Sequence, residues 1–273
     1  MMKDNQQTEI VLITGASSGI GQATARLLAQ KGYKVYGTSR NAMNGHSEPF
    51  EFLVMDVKNV QSIQLAVDQL LEKEGRIDIL INNAGVGITG PVEETPLDAM
   101  RDTFETNFYG PLAVIQAVLP AMRQQQNGLI INVTSIAGAM GLPFRAAYSA
   151  TKSALDIISE GLRMEIAQQG IQLCTLAPGD VATNIAASRY HAPLVKGSPY
   201  EMSYGATLHQ MNEGVNAGVA PAVIAQKIVD IIQQKAPKVH YYAGAFMERL
   251  SLVLKRFLPD KMFEQLLKNH YKL

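Results

Sequence analysis

The chain has 273 residues, 47% of them apolar and 18% charged, with 24 Lys+Arg against 24 Asp+Glu. That composition belongs to a globular protein and excludes a disordered one, and a zero net charge offers no global positive field to recruit nucleic acid. The polar start, Met1-Met2-Lys3-Asp4-Asn5-Gln6-Gln7, has no apolar signal core, and no apolar run reaches the length of a membrane span, so a soluble cytoplasmic protein is expected.

Residues 10–13 read as a buried strand, and residues 19–30 follow as a helix with Ile20, Ala23, Leu27 and Leu28 at helical spacing. Strands are predicted at 34–38 and 52–55, a helix at 61–73 and a strand at 77–81. A long helix is predicted over 98–122, with Pro111 marking a kink and Pro120 its end. A strand at 129–133, a helix at 147–167 and a strand at 171–176 complete the regular part. The single cysteine, Cys174, lies in that last strand; it excludes an intrachain disulfide and a Cys-rich metal site and reads as a buried thiol. Residues 184–219 carry scattered Gly, Pro, Tyr and Met with weak periodicity and read as a substrate lid with short helices of its own. Residues 244–273 read as two amphipathic helices divided at Pro259. Nearly continuous apolar strands alternating with helices predict an α/β fold: one Rossmann-type doubly wound parallel sheet with helices on both faces, a single domain over residues 1–273.

Between the first strand and first helix stands Thr14-Gly15-Ala16-Ser17-Ser18-Gly19-Ile20-Gly21. Glycines let the backbone approach a pyrophosphate, and the helix start offers free N–H groups and a positive dipole end. The flanking strand and helix turn a weak motif into a dinucleotide site. An acidic residue ending the second strand would bind the ribose 2′-hydroxyl of NAD. This chain has Ser39 and Arg40 there instead, and a guanidinium can grip a 2′-phosphate. NADP(H) is therefore expected, with NAD(H) as the alternative. Asp56, followed by Val57, is a candidate partner for the adenine, or a loop cap.

Tyr148 and Lys152 lie four residues apart and so share one helix face. A nearby ammonium stabilises a phenolate, which makes a tyrosine usable as a general acid or base. Ser135, just past the 129–133 strand, can hydrogen-bond a substrate oxygen and stabilise a developing alkoxide. Together with the glycine loop these residues describe hydride transfer.

With these motifs the chain resembles the short-chain dehydrogenase/reductase family from Glu9 to about Tyr242. The glycine loop, Asn82-Asn83-Ala84-Gly85, Asn107 in Thr106-Asn107-Phe108-Tyr109-Gly110, the Ser135–Tyr148–Lys152 set and Pro178-Gly179-Asp180-Val181-Ala182-Thr183 each match a family signature. The resemblance implies that Tyr148 exchanges a proton with the substrate oxygen while Lys152 assists it and binds the nicotinamide ribose. It implies that Asn107 holds a relay water and that Ser135 orients the carbonyl. Asn83, Ala84 and Gly85 would line the adenosine side. Pro178, Gly179, Val181 and Thr183 would close on the nicotinamide, with Thr183 and the backbone near Val181 fixing its carboxamide. No metal is required. The tail is loosely similar to the hydroxysteroid and retinol dehydrogenase-like branch, and family members commonly pair as homodimers or homotetramers through helices equivalent to 98–122 and 147–167.

The expected substrate is a small carbonyl compound or alcohol. Met140, Leu142, Pro143 and Phe144, with Tyr190, Met202, Tyr204 and Met211 of the lid, suggest an apolar pocket rim and a lipophilic ligand, or else packing of the lid. Arg145 reads as a solvated arginine, with an acidic group on the substrate as the other option. In the tail, Phe246, Leu250, Val253, Leu254 and Phe257, then Met262, Phe263, Leu266 and Leu267, form stripes bordered by basic residues. They suit packing over the substrate entrance or against another subunit, or peripheral contact with an anionic membrane. His191 and His209 receive no role. A regulator that senses NADP(H) without turnover is the rival function; it would have no need of Tyr148 and Lys152.

Overall fold

Strand residues point alternately to the two faces of a sheet, and here both sets are apolar. Val11 and Ile13 face one way and Leu12 the other; Ile79 and Ile81 oppose Leu80 in the same manner. A sheet apolar on both faces must be covered on both, and the computed structural model, which describes residues 8–43, 47–183, 189–216 and 218–273, shows how.

The strands are β1 (Ile10–Ile13), β2 (Lys34–Ser39), β3 (Glu51–Val54), β4 (Ile79–Asn82), β5 (Ile88–Thr89), β6 (Gly128–Val133), β7 (Ile171–Pro178), β8 (Tyr190–His191) and β9 (His240–Ala243). Seven of them form one sheet in the order β3-β2-β1-β4-β6-β7-β9, every pair parallel. β5 and β8 form a separate parallel pair. The helices are α1 (Gly19–Gln30), α2 (Val60–Glu74), α3 (Leu97–Phe104), α4 (Gly110–Gln125), α5 (Ala146–Glu165), α6 (Glu201–Asn216), α7 (Pro221–Ile232), α8 (Phe246–Phe257) and α9 (Asp260–Tyr271). On one face Ala25 and Leu28 of α1 and Ile224, Ile228 and Ile231 of α7 pack over Ile13, Ile81, Ile131 and Leu176. On the other, Ile63, Val67 and Leu70 of α2 and Val114, Ile115 and Val118 of α4 cover Leu12, Leu80, Ile130 and Leu173. The doubly wound parallel sheet expected from the sequence is present.

Five details differ from the sequence reading. The helix predicted over 98–122 is two helices joined by a π-helical turn, Glu105–Tyr109. Pro111 sits in the first turn of α4, where a missing N–H costs nothing. Pro120 lies inside α4 instead of ending it; the chain turns out at Gln126, whose φ of 51° is left-handed. Past β7 the alternation continues through α7 to a seventh strand, β9. Within 184–219 the chain forms β8 and the long helix α6, while residues 184–188 and 217, like the polar residues 1–7, lie outside the described residues.

The tail forms two helices parted at Pro259, as expected. Each predicted stripe is shared between core and solvent. Phe263 is buried, and Leu252, Leu254, Leu258 and Leu267 pack beside it against Ile136, Met140 and Ala177. Phe246, Val253, Phe257 and Met262 remain exposed. Among the described residues no helix is long and apolar enough to cross a membrane.

A buried polar ladder locks the elements around the site. Asn82 Nδ2 donates to Asn132 Oδ1 at 2.9 Å, Asn132 Nδ2 donates to Ser159 Oγ at 2.8 Å, and Ser159 Oγ donates to Leu155 O at 2.6 Å. It joins β4, β6 and α5, which carry the chain into Asn83, Ser135 and Tyr148. Asn132→Ala strips both neighbours of a partner and should lower the unfolding free energy by about 1–3 kcal/mol; urea denaturation showing a loss under about 0.5 kcal/mol would argue against a structural ladder. Burial pushes the Cys174 thiol up to about 12 and leaves none of the residue exposed. Iodoacetamide should therefore label Cys174 only after unfolding, and rapid labelling of the native protein would contradict this packing.

Candidate active site

At the carboxyl ends of β1 and β4 the strand order reverses, and a parallel α/β sheet opens a crevice at such a point. A cleft of about 570 Å³ lies there, lined at one end by Gly15, Ser17, Ser18, Gly19 and Ile20. The backbone turns at Gly15 with φ +68°, and a Cβ on it would come within 2.9 Å of Ala84 Cα. α1 then starts from Ser18 with no side chain capping it, so its first-turn N–H groups are available to an anion. Gly21 does not line the cleft. Its role is packing: a Cβ there would stand 2.3 Å from Gly15 O and 2.5 Å from Asn83 Nδ2. Asn83 needs that space, because its Nδ2 donates to Thr14 O and Gly15 O at 3.0 Å each. Thr14 Oγ1 in turn accepts from Asn83 N and Ala84 N, both at 3.0 Å. Asn83, Ala84 and Gly85 thus form the wall facing the glycine loop.

Ser39, Arg40, Asp56 and Val57 line the opposite side of this end. Arg40 is exposed, so its fork of donors can turn toward a bound phosphate. Asp56 Oδ1 accepts from Lys58 N at 3.0 Å, so the loop-cap reading holds for one oxygen while the side chain still borders the cleft. A glycine-rich turn, an uncapped helix start and an arginine beside the second strand fit a dinucleotide.

The other end gathers Ser135, Tyr148 and Lys152 with Pro178, Gly179, Val181 and Thr183. Lys152 is almost fully buried and its Nζ donates to Val133 O at 3.0 Å. Burial pushes its pKa below the ordinary lysine range, against the opposing influence of Tyr148 and Asp156. Ser135 Oγ accepts from Ala137 N at 3.2 Å and lies 3.4 Å from Pro178 O, its own acceptor. Gly179 N donates to Ala243 O at 2.7 Å, and Val181 bridges to Val219, so β9 and the start of α7 steady this wall. Asn107 stands behind the cleft, fully buried in the π-helical turn. Its Oδ1 accepts from Val86 N at 2.8 Å, and its Nδ2 donates to Val86 O at 2.9 Å and to Thr151 Oγ1 at 3.2 Å. It clamps the loop after β4 to α5 between Tyr148 and Lys152.

The residues expected to rim the substrate pocket do not line this cleft, although Leu142 packs beside Tyr148. Met140 packs under α9, Met202 is exposed, and Met211 is buried away from the cleft. Tyr204 is buried with its hydroxyl 3.1 Å from Thr89 O and 3.2 Å from Ala192 O. Phe144 has a left-handed φ of 55°, which costs about 1 kcal/mol for a residue with a Cβ. Its ring rests on Tyr204, 5.4 Å between centroids, and its carbonyl accepts from Gly90 N at 2.9 Å. That turn delivers Arg145, which is not solvated: its side chain is 16% exposed and its guanidinium lies 5.5 Å from the Tyr148 ring centroid. Beside it is Arg189, a cleft residue that no sequence motif marked.

A phenol, an ammonium and a hydroxyl therefore surround one end of the crevice, an arrangement able to protonate a carbonyl oxygen or deprotonate an alcohol. The family model for short chain dehydrogenases matches residues 9–193. The 3-ketodihydrosphingosine reductase of Bacteroides thetaiotaomicron is 37% identical over 268 residues, covering 98% of this chain and 99% of the relative. Among solved structures, a short-chain dehydrogenase from Streptomyces avermitilis has a TM-score of 0.80 at 29% identity, covering 96% of this chain and 98% of that one. A short chain dehydrogenase from Burkholderia cenocepacia, solved in complex with NADP, has a TM-score of 0.74 at 25% identity over 97% of both chains. Sequence motifs, sheet order and these likenesses together make the chain a member of the short-chain dehydrogenase/reductase family, an oxidoreductase that uses a nicotinamide cofactor.

Proposed function

We propose that the protein is an NADP(H)-dependent carbonyl reductase or alcohol dehydrogenase in which Tyr148 is the general acid and base. The observation that carries this reading is the convergence of Tyr148, Lys152 and Ser135 at one end of the cleft whose other end holds the glycine loop and Arg40. The nicotinamide, when bound, supplies or accepts the hydride. Ser135 Oγ aligns the carbonyl oxygen, Tyr148 passes it a proton, and Lys152, held by Val133 O, places its ammonium where negative charge develops. Asn107 keeps the loop after β4 and α5 in register and hosts the relay toward solvent. Pro178, Gly179, Val181 and Thr183 hold the nicotinamide end.

Reduction is the working direction, because NADPH pools are kept reduced; the Bacteroides relative, named a reductase, supports it. The substrate has a lipophilic part: the side chains packed about Tyr148 are Ile88, Ala137 and, partly buried, Leu142. Exposed Tyr109, Ile157 and Met164, on or beside α4 and α5, support a homo-oligomeric contact there. The exposed stripe of Phe246, Val253 and Phe257 beside Lys255 and Arg256 supports peripheral membrane contact through the tail.

Fluorescence titration should show NADPH binding more tightly than NADH, and Arg40→Ala should weaken NADPH by about 10- to 100-fold while sparing NADH. Equal affinities in the wild type would move the assignment to NAD. Tyr148→Phe should lower kcat by about 10²–10⁴ with NADPH affinity kept within a few fold. Wild-type cofactor binding without turnover across a broad carbonyl panel would instead support the sensing role.

A further inference from the structure

The cleft's substrate end carries more positive charge than the hydride transfer needs. Arg189 is 7% exposed, its stem packs against Gly87, and its Nη1 has no hydrogen-bond partner. Burying a guanidinium donor without an acceptor is costly. Arg145 lies nearby, over the ring of Tyr148, and both arginines line the cleft. Burial first, then Arg145, push Arg189 below the ordinary arginine range, against opposition from Tyr148, Asp180 and Tyr204. Among the described residues the counter-charge in reach is Asp180, 4.0 Å from Arg145 Nη1 and itself partly exposed. Residues 184–188, Asn-Ile-Ala-Ala-Ser, contain no carboxylate. Two guanidinium groups are thus held near each other at the reacting end with one partly exposed carboxylate, Asp180, as counter-charge.

Resting on the reductase reading above, the geometry points to a substrate that carries an oxyanion, a carboxylate or phosphate, a few bonds from its carbonyl. The oxyanion accepts from Arg189 Nη1 and from Arg145 while the carbonyl oxygen meets Tyr148 and Ser135. Guanidinium forks match such oxyanions in a bidentate manner, and the bound charge relieves the repulsion between the two arginines. A keto acid with an apolar chain satisfies both this pair and the apolar side chains around Tyr148. A ketone bearing an ammonium near its carbonyl meets like charge instead and is disfavoured.

The test compares 3-oxodecanoate, its methyl ester and 3-ketodihydrosphingosine, which carries an ammonium, as substrates with both cofactors. The acid should show the highest kcat/KM. In Arg189→Met the acid-to-ester ratio of kcat/KM should fall about 10- to 100-fold, mostly through KM, and Arg189→Lys should restore part of it. If Arg189→Met does not fold, Arg145→Met, at a less buried position, reads the same ratio. Preference for the ester or the ammonium-bearing ketone, or an unchanged ratio in the arginine variants, overturns the inference while leaving the reductase reading intact. If no ketone turns over, the reductase reading fails. Quenching of bound NADPH fluorescence by 3-oxodecanoate then decides this inference alone: saturable and lost in the variant upholds it, and no difference between acid and ester overturns it.

Discussion

Four hydrogen bonds between Thr14, Gly15, Asn83 and Ala84 hold open the cleft in which the proposed reaction takes place. β1 and β4 are neighbours whose chains leave the sheet in different directions, and the backbone ladder between them ends where Thr14 N donates to Ile81 O at 3.0 Å. The Thr14 hydroxyl and the Asn83 amide extend the pairing by side chains. The width of the crevice is then set by how closely two backbones approach, which explains why glycine is required at positions with different jobs. Gly15 lies against Ala84, while Gly21 leaves room for the Asn83 amide itself. The cradle proposed for the cofactor is built as much by Asn83 as by the glycines.

The proposed catalytic end rests on a different constraint, the burial of Lys152. An ammonium taken out of water is costly, and Val133 O returns only one hydrogen bond. The same low-dielectric surroundings make its charge act more strongly on its neighbours. In the proposed reaction that field falls on the Tyr148 oxygen one helical turn away. The Asn82–Asn132–Ser159 ladder keeps α5 fixed against β4 and β6, so this distance is a property of the core and not of a flexible loop.

Much of this was legible in the sequence because it is local. Apolar alternation within strands, the glycine loop and the Tyr148–Lys152 spacing each lie within a few residues, and the sheet and the gathered cleft residues follow from them. What escaped depends on distant partners. The π-helical turn at Asn107 leaves no mark in a helix-period pattern. β8 is two residues long and exists only through pairing with β5, from a part of the chain far earlier. Arg189, just before β8, acquires its place from that pairing. α6 shows weak periodicity because its residues serve several surfaces, with Tyr204 buried and Met202 exposed.

Arg145 is the instructive case. As one arginine in a loop it reads as solvated, and its burial comes from the far end of the chain. Tyr271, the last residue of α9, is itself buried, and its hydroxyl faces the Arg145 guanidinium. The residues that looked like a pocket wall, Met140 and Leu142, are among those on which the tail helices rest. The apolar side chains therefore seat the tail helices, and Arg145 faces the Tyr148 ring. Since Tyr271 of α9 faces Arg145 and Arg145 lies over the Tyr148 ring, the seating of α9 bears on the charge environment of the phenol proposed as the general acid. In the proposed reaction that environment depends on how the last two helices sit on the loop between β6 and α5.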